Sequence, residues 1–150
     1  MGAVGKGRTL HVAQIMSLSQ ESGKRAAVIR RRPPGHSTMP ARLHRWDEIA
    51  LEKITEMVSQ KIVCGEHEML AQIYLKRGAQ VPMHSHDSEQ MTYILQGSLR
   101  VLVDGEEIIV SEGEVLHIPP FAPHQAEALE DTFELDVFSP IRKDWVDPEA

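Results

Sequence analysis

From residue 59 to residue 139, the sequence alternates short segments rich in β-branched and other apolar residues with turns that contain glycine. The pattern predicts nine strands, near 59–64, 68–76, 81–86, 90–96, 99–103, 106–110, 115–118, 123–128 and 132–139. Short strands at intervals of about 8–12 residues, with no long helical pattern between them, indicate an all-β sandwich or barrel. Asp104-Gly105 gives the strongest hairpin signal, because both central residues of a type I′ turn need a positive φ.

The segment that precedes these strands, residues 46–58, has an ambiguous pattern. Its apolar residues Ile49, Leu51, Ile54 and Met57 fit no single helical face well. A short helix and an extended lead-in are therefore both compatible with the sequence.

Charge divides the chain into two parts. Residues 1–40 carry seven basic side chains and one acidic side chain, a net charge of +6, whereas residues 41–150 carry nine basic and 21 acidic side chains, a net charge of −12. Residues 1–40 show no sustained period and contain the break Pro33-Pro34-Gly35, so we expect a disordered or loosely attached basic tail. The folded domain is expected over residues 41–150.

The origin of the basic tail has three alternative explanations. The first is an extension without a role, for instance from an upstream start codon with Met39 opening the functional chain. The second is an organelle presequence, and the third is an RNA-binding arm. The acidic remainder argues against a nucleic-acid-binding domain, and the apolar runs are only a few residues long, too short to span a bilayer. We expect a cytoplasmic protein with no membrane or nucleic-acid partner. Cys64, the single cysteine, excludes a disulfide framework and is expected to be a small core residue.

His84 and His86 are separated by one residue on the strand predicted at 81–86. This spacing places both imidazoles on one face of a strand. Two inward histidines rarely serve packing alone, because each buried ring needs partners for two nitrogens. Taken alone, the pair is weak evidence for a metal site, but it does not stand alone.

Two segments resemble the two sequence motifs of the cupin superfamily. The first is Gly78-x5-His84-x-His86-x3-Gln90-x6-Gly97, and the second is Gly113-x5-Pro119-x-Phe121-x2-His124. The resemblance covers roughly residues 46–145 and implies a cupin β-barrel, a double-stranded antiparallel jelly roll with a metal inside. It also implies that His84, His86 and His124 are metal ligands, with Gln90 as the fourth.

The chain departs from the cupin pattern at three positions. Gln90 replaces the usual Glu ligand, Phe121 replaces a Gly, and Ala128 replaces the closing Asn. Glu89 is an alternative ligand, but Gln90 has the motif spacing to Gly97 and shares a strand face with Thr92 and Ile94.

The replacement of Glu by Gln has an electrostatic consequence. Three neutral imidazoles and an amide leave a divalent ion its full charge, which favours Lewis-acid chemistry over a cycle through a ferric state. The ion is one divalent transition metal, with Ni, Fe, Mn, Zn and Cu all open.

The remaining histidines lie outside the motif spacing. His117 is expected to be a packed or exposed strand residue, and four others are expected at the surface: His11, His36, His44 and His67.

The run Asp136-x-Phe138-x3-Arg142 resembles the tail of one subgroup, the pectin-degradation cupins that act on unsaturated monouronates. In that subgroup a Gln also binds the metal, and the Asp, Phe and Arg work on the sugar. The resemblance implies that Asp136 and Arg142 are catalytic and that Phe138 binds substrate. Thr92, where another Gln is expected, is the fourth candidate substrate contact. A polar face on a terminal strand is usually solvated, and a further alternative is that Asp136 and Arg142 only stabilise the rim or a dimer contact.

Three functions follow from these residues. The first is a Lewis-acid enzyme, of the isomerase type, that opens the ring of a small acidic sugar such as a 4,5-unsaturated uronate. The second is a metal-dependent dioxygenase or lyase on a small acid, and the third is a cupin that binds a small ligand without turnover. A homodimer is expected, because an open sheet edge is otherwise a liability.

Overall fold

The computed structural model describes residue 35 and residues 39–147. Its secondary-structure elements all belong to the second of two units, Arg42–Ala150. The expected disorder or loose attachment of residues 1–40, together with His11 and His36, lies almost entirely outside the described residues. The elements of the second unit are β1 Glu52–Lys53, β2 Val58–Cys64, β3 Met69–Leu75, β4 Gln80–His84, β5 Glu89–Gln96, β6 Ser98–Val103, β7 Glu106–Ser111, β8 Val115–Ile118, β9 His124–Ala128, β10 Thr132–Ser139 and α1 Lys143–Val146.

Ten antiparallel strands form two sheets. The larger has the order β1-β2-β3-β10-β5-β8, and the smaller has the order β4-β9-β6-β7. Alternate residues of each strand point between the sheets, where the most deeply buried large side chains are Met69, Ile94, Leu99, Ile118 and Phe138. This architecture confirms the expected all-β jelly roll. Among the described residues, no helix is long and apolar enough to cross a membrane.

The nine predicted strands correspond to β2 through β10, with ends that differ by at most two residues. Asp104 and Gly105 have φ values of 50° and 85° and join β6 to β7, as the hairpin prediction requires. The helix considered for residues 46–58 is absent. Instead the segment contains the two-residue strand β1, and the Thr55 hydroxyl accepts hydrogen bonds from the backbone N–H groups of Met57 and Val58.

Two local predictions are wrong. The strand predicted at 81–86 ends at His84, so that His86 lies beyond it rather than on the same strand. Pro82 has no N–H to donate to the ladder, and the pairing with β9 shifts register between Val81 and His84. Cys64 is exposed rather than buried, because it is the last residue of β2 beside the turn at Gly65.

Phe121 stands at the motif position where a glycine is usual and keeps a left-handed backbone, with φ of 65°. Its ring is 70% exposed, so packing does not offset the conformational cost. We expect Phe121→Gly to raise the free energy of unfolding by about 0.5–1 kcal/mol, a net gain from which the entropic cost of glycine has been subtracted. Urea unfolding measures the change. Phe121→Ala, which retains a Cβ at the same φ, should give no gain; an equal gain from both variants would contradict the explanation.

Candidate metal centre

Three histidines converge at one end of the barrel from neighbouring backbone segments. His84 ends β4 and His124 begins β9, and the two residues are direct partners in the sheet. His86 reaches the same point from the loop after β4. Their candidate ligand atoms all lie within 4.8 Å of one another. The strand pairing, rather than the two-residue spacing alone, therefore assembles the cluster.

Each of these imidazoles has its Nδ1 beside a backbone carbonyl oxygen. His84 Nδ1 lies 2.9 Å from Pro82 O, His86 Nδ1 lies 2.9 Å from Ser88 O, and His124 Nδ1 lies 2.8 Å from Ala122 O. A carbonyl can only accept, so each Nδ1 carries the proton and each Nε2 presents a lone pair. A hydrogen bond from the nitrogen that does not bind the metal is the usual way in which ligand histidines are oriented.

The unprotonated Nε2 atoms of these three histidines are suited to bind a cation. His124 Nε2 is buried and has no hydrogen-bond partner in the described part of the chain. Burial is the largest cause that lowers the pKa of His86 and of His124, and the Arg142 guanidinium lowers the pKa of His86 further. Neutral imidazoles with converging lone pairs are what a divalent transition ion requires. His84, His86 and His124 are thus positioned to bind a metal.

Gln90 presents an amide oxygen to this cluster. Its Oε1 lies 3.1 Å from His86 Nε2. Its Nε2 donates to Thr92 Oγ1 at 2.9 Å and to Asp136 Oδ2 at 3.3 Å. Because a carboxylate accepts from the NH₂ group and not from the amide oxygen, these bonds fix the orientation of the side chain. Two lone pairs, on Oε1 and on His86 Nε2, consequently face each other across a gap suited to a cation.

Asp136 completes the polar network behind Gln90. The Thr92 hydroxyl donates to Asp136 Oδ1 at 2.6 Å, and both residues are buried. Burial is the main cause that raises the pKa of Asp136, to about 7, although the hydrogen bonds from Thr92 and Gln90 lower it. The network joins β5 to β10 at the registered pair Thr92–Asp136.

In β10 the polar face is buried and the apolar face points outward, the reverse of the usual arrangement. Its polar face points into the barrel, with Glu134 and Asp136 buried, so the alternative of a solvated polar face is wrong. Its apolar face, Phe133, Leu135 and Val137, lies on the outer side of the sheet and is only half-buried. A strand that places carboxyl groups inside a barrel indicates a functional cavity rather than a packed core.

Arg142 follows β10 and is held in one orientation. Its Nε and Nη2 donate to the two carboxylate oxygens of Asp144, at 2.9 and 2.7 Å. The guanidinium carbon lies 4.7 Å from the ring centroid of Trp145 and 5.6 Å from that of Phe138. Nη1 is buried and has no hydrogen-bond partner among residues 39–147. Asp144 therefore occupies the Nε–Nη2 edge of the guanidinium, which leaves Nη1 for a ligand.

A cavity of about 200 Å³ connects these groups. Apolar side chains form most of its wall, including Leu99, Val101 and Ala126 from the smaller sheet. Its polar lining includes six of the residues predicted from the sequence, His84, Gln90, Thr92, His124, Asp136 and Arg142, whereas His86 is not among its lining residues. An apolar cavity with a few convergent polar groups is the usual form of a small-molecule site.

The other sequence candidates lie away from this cavity. His117 is exposed and its Nε2 lies 2.7 Å from Glu89 Oε1, on the outer face of the larger sheet. This position also removes Glu89 as an alternative ligand. His44 and His67 are at the surface, as predicted. The sequence reasoning missed Asp144, Trp145 and the buried Glu134; the alternation along β10 was the available signal for Glu134.

Fold and site together define a class: the chain contains a cupin domain. Residues 72–139 match the cupin domain family. The chain is also 28% identical to the pectin degradation protein KdgF of Dickeya dadantii over 103 residues, 67% of this chain and 94% of that protein. The structure of KdgF from Halomonas sp. superposes with a TM-score of 0.67 at 29% identity, over 71% of this chain and 99% of that one. This is therefore a small cupin that resembles the pectin-degradation cupins.

Two further similarities are broader. An uncharacterized protein of Methanocaldococcus jannaschii is 33% identical over 75 residues, 49% of this chain and 60% of that protein. An RmlC-like cupin from Shewanella frigidimarina, at 24% identity and a TM-score of 0.66, covers 71% of this chain and 96% of its own and shares the fold.

Proposed function

We propose that this cupin is a Lewis-acid enzyme that opens and isomerises the ring of a 4,5-unsaturated uronate. The observation that carries the proposal is one cavity in which Asp136 and Arg142 stand beside Gln90 and the histidine cluster. The similarity to two KdgF proteins, one of them called a pectin degradation protein, supports a sugar acid as the substrate.

His84, His86, His124 and Gln90 would hold the metal, a divalent transition ion such as Ni, Fe, Mn, Zn or Cu. When bound, the ion supplies Lewis acidity toward a substrate oxygen, undiminished because all four ligands are neutral. The bonds from Gln90 Nε2 to Thr92 and Asp136 keep its Oε1 turned toward the histidines. Thr92 thus acts through Gln90 and Asp136, besides lining the cavity as a candidate substrate contact.

Arg142 and Phe138 bind and orient the sugar in this proposal. Arg142 Nη1, which has no partner among the described residues, donates to the substrate carboxylate. Asp144 and Trp145 hold the guanidinium so that little side-chain entropy is lost on binding. Phe138 forms an apolar wall and contacts the His86 ring edge-on, at 5.7 Å between centroids.

Asp136 moves the proton in this proposal. Its carboxylate accepts the proton of the anomeric hydroxyl while the C1–O5 bond breaks, which produces an aldehyde at C1 and an enolate at C4, C5 and O5. The same proton is returned to C4 as the ketone forms at C5. No atom is gained or lost, so the reaction is an isomerisation.

The test is a turnover assay with unsaturated galacturonate. The full chain, loaded separately with each candidate divalent ion, is incubated with the sugar while the ultraviolet absorbance of its conjugated C4=C5 bond is followed. We expect loss of absorbance above the rate of the metal-free protein. A rate equal to that control would contradict the proposal: oxygen uptake with Fe(II) and a small acid would then indicate a dioxygenase, and binding without turnover a ligand-binding cupin.

We also propose that the protein is a homodimer formed through the outer face of the larger sheet. This outer face carries exposed or half-buried apolar side chains on four adjacent strands: Leu70, Tyr74, Met91, Tyr93, Val115, Phe133, Leu135 and Val137. A contiguous apolar face of this kind is typical of an obligate contact between subunits.

Light scattering of the wild-type protein at micromolar concentration should give twice the mass of the chain. Leu135→Lys, at the centre of the outer face, should give the mass of one chain, because the lysine would be buried without a partner. Ile109→Lys, on β7 of the smaller sheet, is the matched control and should stay dimeric. A monomeric wild type, or a dimeric Leu135→Lys, would contradict the proposed interface.

A further inference from the structure

Glu134 is a buried acid for which the proposed reaction has no use. It lies on the inner face of β10, where it is registered with Ile73 of β3 on one side and Ile94 of β5 on the other. Its side chain is 5% exposed, and it lines the same cavity as Asp136 and the histidine cluster. Within the sheet this carboxyl group therefore has apolar neighbours, and the cavity is the side from which a polar partner can reach it.

One oxygen of this carboxyl group lacks a partner. Glu134 Oε2 is buried and makes no hydrogen bond to any residue that the structure describes. Burial, followed by the charge of Asp136, raises the pKa of Glu134 well above its usual range. In either protonation state, a carboxyl oxygen can form a hydrogen bond with a hydroxyl group. A buried group of this kind destabilises a fold unless something pairs with it.

The position of Glu134 along β10 limits which molecule can pair with its carboxyl group. Phe138 is registered with Gln90, and Asp136 with Thr92, so Glu134 lies one inward-facing position beyond Asp136 and away from the metal centre. Two residues of strand correspond to about 7 Å. A molecule that is held at the histidines and at Arg142 by one end, and that is about as long as a six-carbon sugar acid, reaches this depth.

We propose that Glu134 forms a second polar subsite, which makes a hydrogen bond to a hydroxyl group at the far end of the ligand held by the metal centre. The inference rests on the proposed function, because that function places a sugar acid in the cavity. Glu134 then discriminates between acids that carry an oxygen at this distance and acids that do not. It is a specificity-determining contact rather than a proton carrier.

The test compares two side chains of similar shape in place of Glu134. Glu134→Gln keeps a donor and an acceptor, whereas Glu134→Met keeps neither. The probes are D-galacturonate and tetrahydropyran-2-carboxylate, which has a ring oxygen and a carboxylate but no hydroxyl group. Binding of each to the zinc-loaded full chain is measured by calorimetry. We expect Glu134→Met to weaken galacturonate binding by about tenfold, to leave the hydroxyl-free acid within about twofold, and Glu134→Gln to stay near wild type.

Thermal unfolding of the ligand-free protein shows whether Glu134 serves ligand binding or the stability of the fold. Glu134→Met should raise Tm by about 3 °C, because it removes an unpaired buried polar group. A lower Tm, an equal loss of affinity for both probes, or no binding of galacturonate by the wild type would overturn the subsite. Binding that depends on Glu134 without turnover of unsaturated galacturonate would instead contradict the proposed function and leave the subsite standing.

Discussion

His84→Ala is expected to weaken metal binding by about 100- to 1,000-fold, so that the dialysed variant retains far less than one ion per chain. The apparent binding free energy of four-ligand zinc sites is about 10–16 kcal/mol, or roughly 2.5–4 kcal/mol for each ligand, which corresponds to this loss. His84 is half-buried at the end of β4, so the substitution should leave the barrel folded. Elemental analysis of the purified protein measures the ion content.

Gln90→Ala extends the same measurement to the fourth ligand. An amide oxygen is a weaker donor than an imidazole, and water can replace it, so we expect a loss of about tenfold, the lower end of the effects seen when the surroundings of a metal are altered. His117→Ala is the matched control, because His117 pairs with Glu89 outside the cavity and should leave metal binding unchanged. Stoichiometric metal in His84→Ala would exclude this centre, and an unaffected Gln90→Ala would mean that the fourth ligand is wrongly assigned.

Local rules were sufficient for most of the fold. Alternation and glycine turns are properties of a few consecutive residues, and they located β2 through β10 as well as the Asp104-Gly105 hairpin. The same parity put Gln90 and Thr92 on an inner face and Glu89 on an outer one. Short or irregular elements escaped these rules. The four residues of α1 are too few to show a helical period, and the interruption at Pro82 moved His86 off its strand.

The burial of the polar face of β10 could not be derived in the same way. Alternation states that Glu134 and Phe133 lie on opposite faces, but it does not state which face is inside. The strand register decides this, because Glu134 is paired with the buried Ile73 and Ile94, and those pairings are contacts distant in sequence. The orientation of Arg142 by Asp144 and Trp145 likewise depends on how the chain turns after β10. Local pattern thus located the histidines, and nonlocal pairing determined what surrounds them.

Asp136→Asn is expected to lower kcat for unsaturated galacturonate by about 1,000-fold, because an amide of the same shape cannot accept and return a proton. Its KM should change far less, since Arg142 still provides the contact to the carboxylate. Metal content must be measured on the same preparation, because an Asn amide would face Gln90 Nε2 and could turn the Gln90 amide oxygen away from the histidines.

Thr92→Val separates proton transfer from this positional effect. It removes the bond from the Thr92 hydroxyl to Asp136 Oδ1, and the bond that this hydroxyl accepts from Gln90, while the carboxylate remains. We expect a loss of about tenfold in kcat, the part of the effect due to a disturbed network. If Thr92→Val were as inactive as Asp136→Asn, or if both variants had lost their metal, Asp136 would be a positioning residue for Gln90. A large loss in Asp136→Asn alone, with full metal content, identifies its carboxylate as the group that carries the proton.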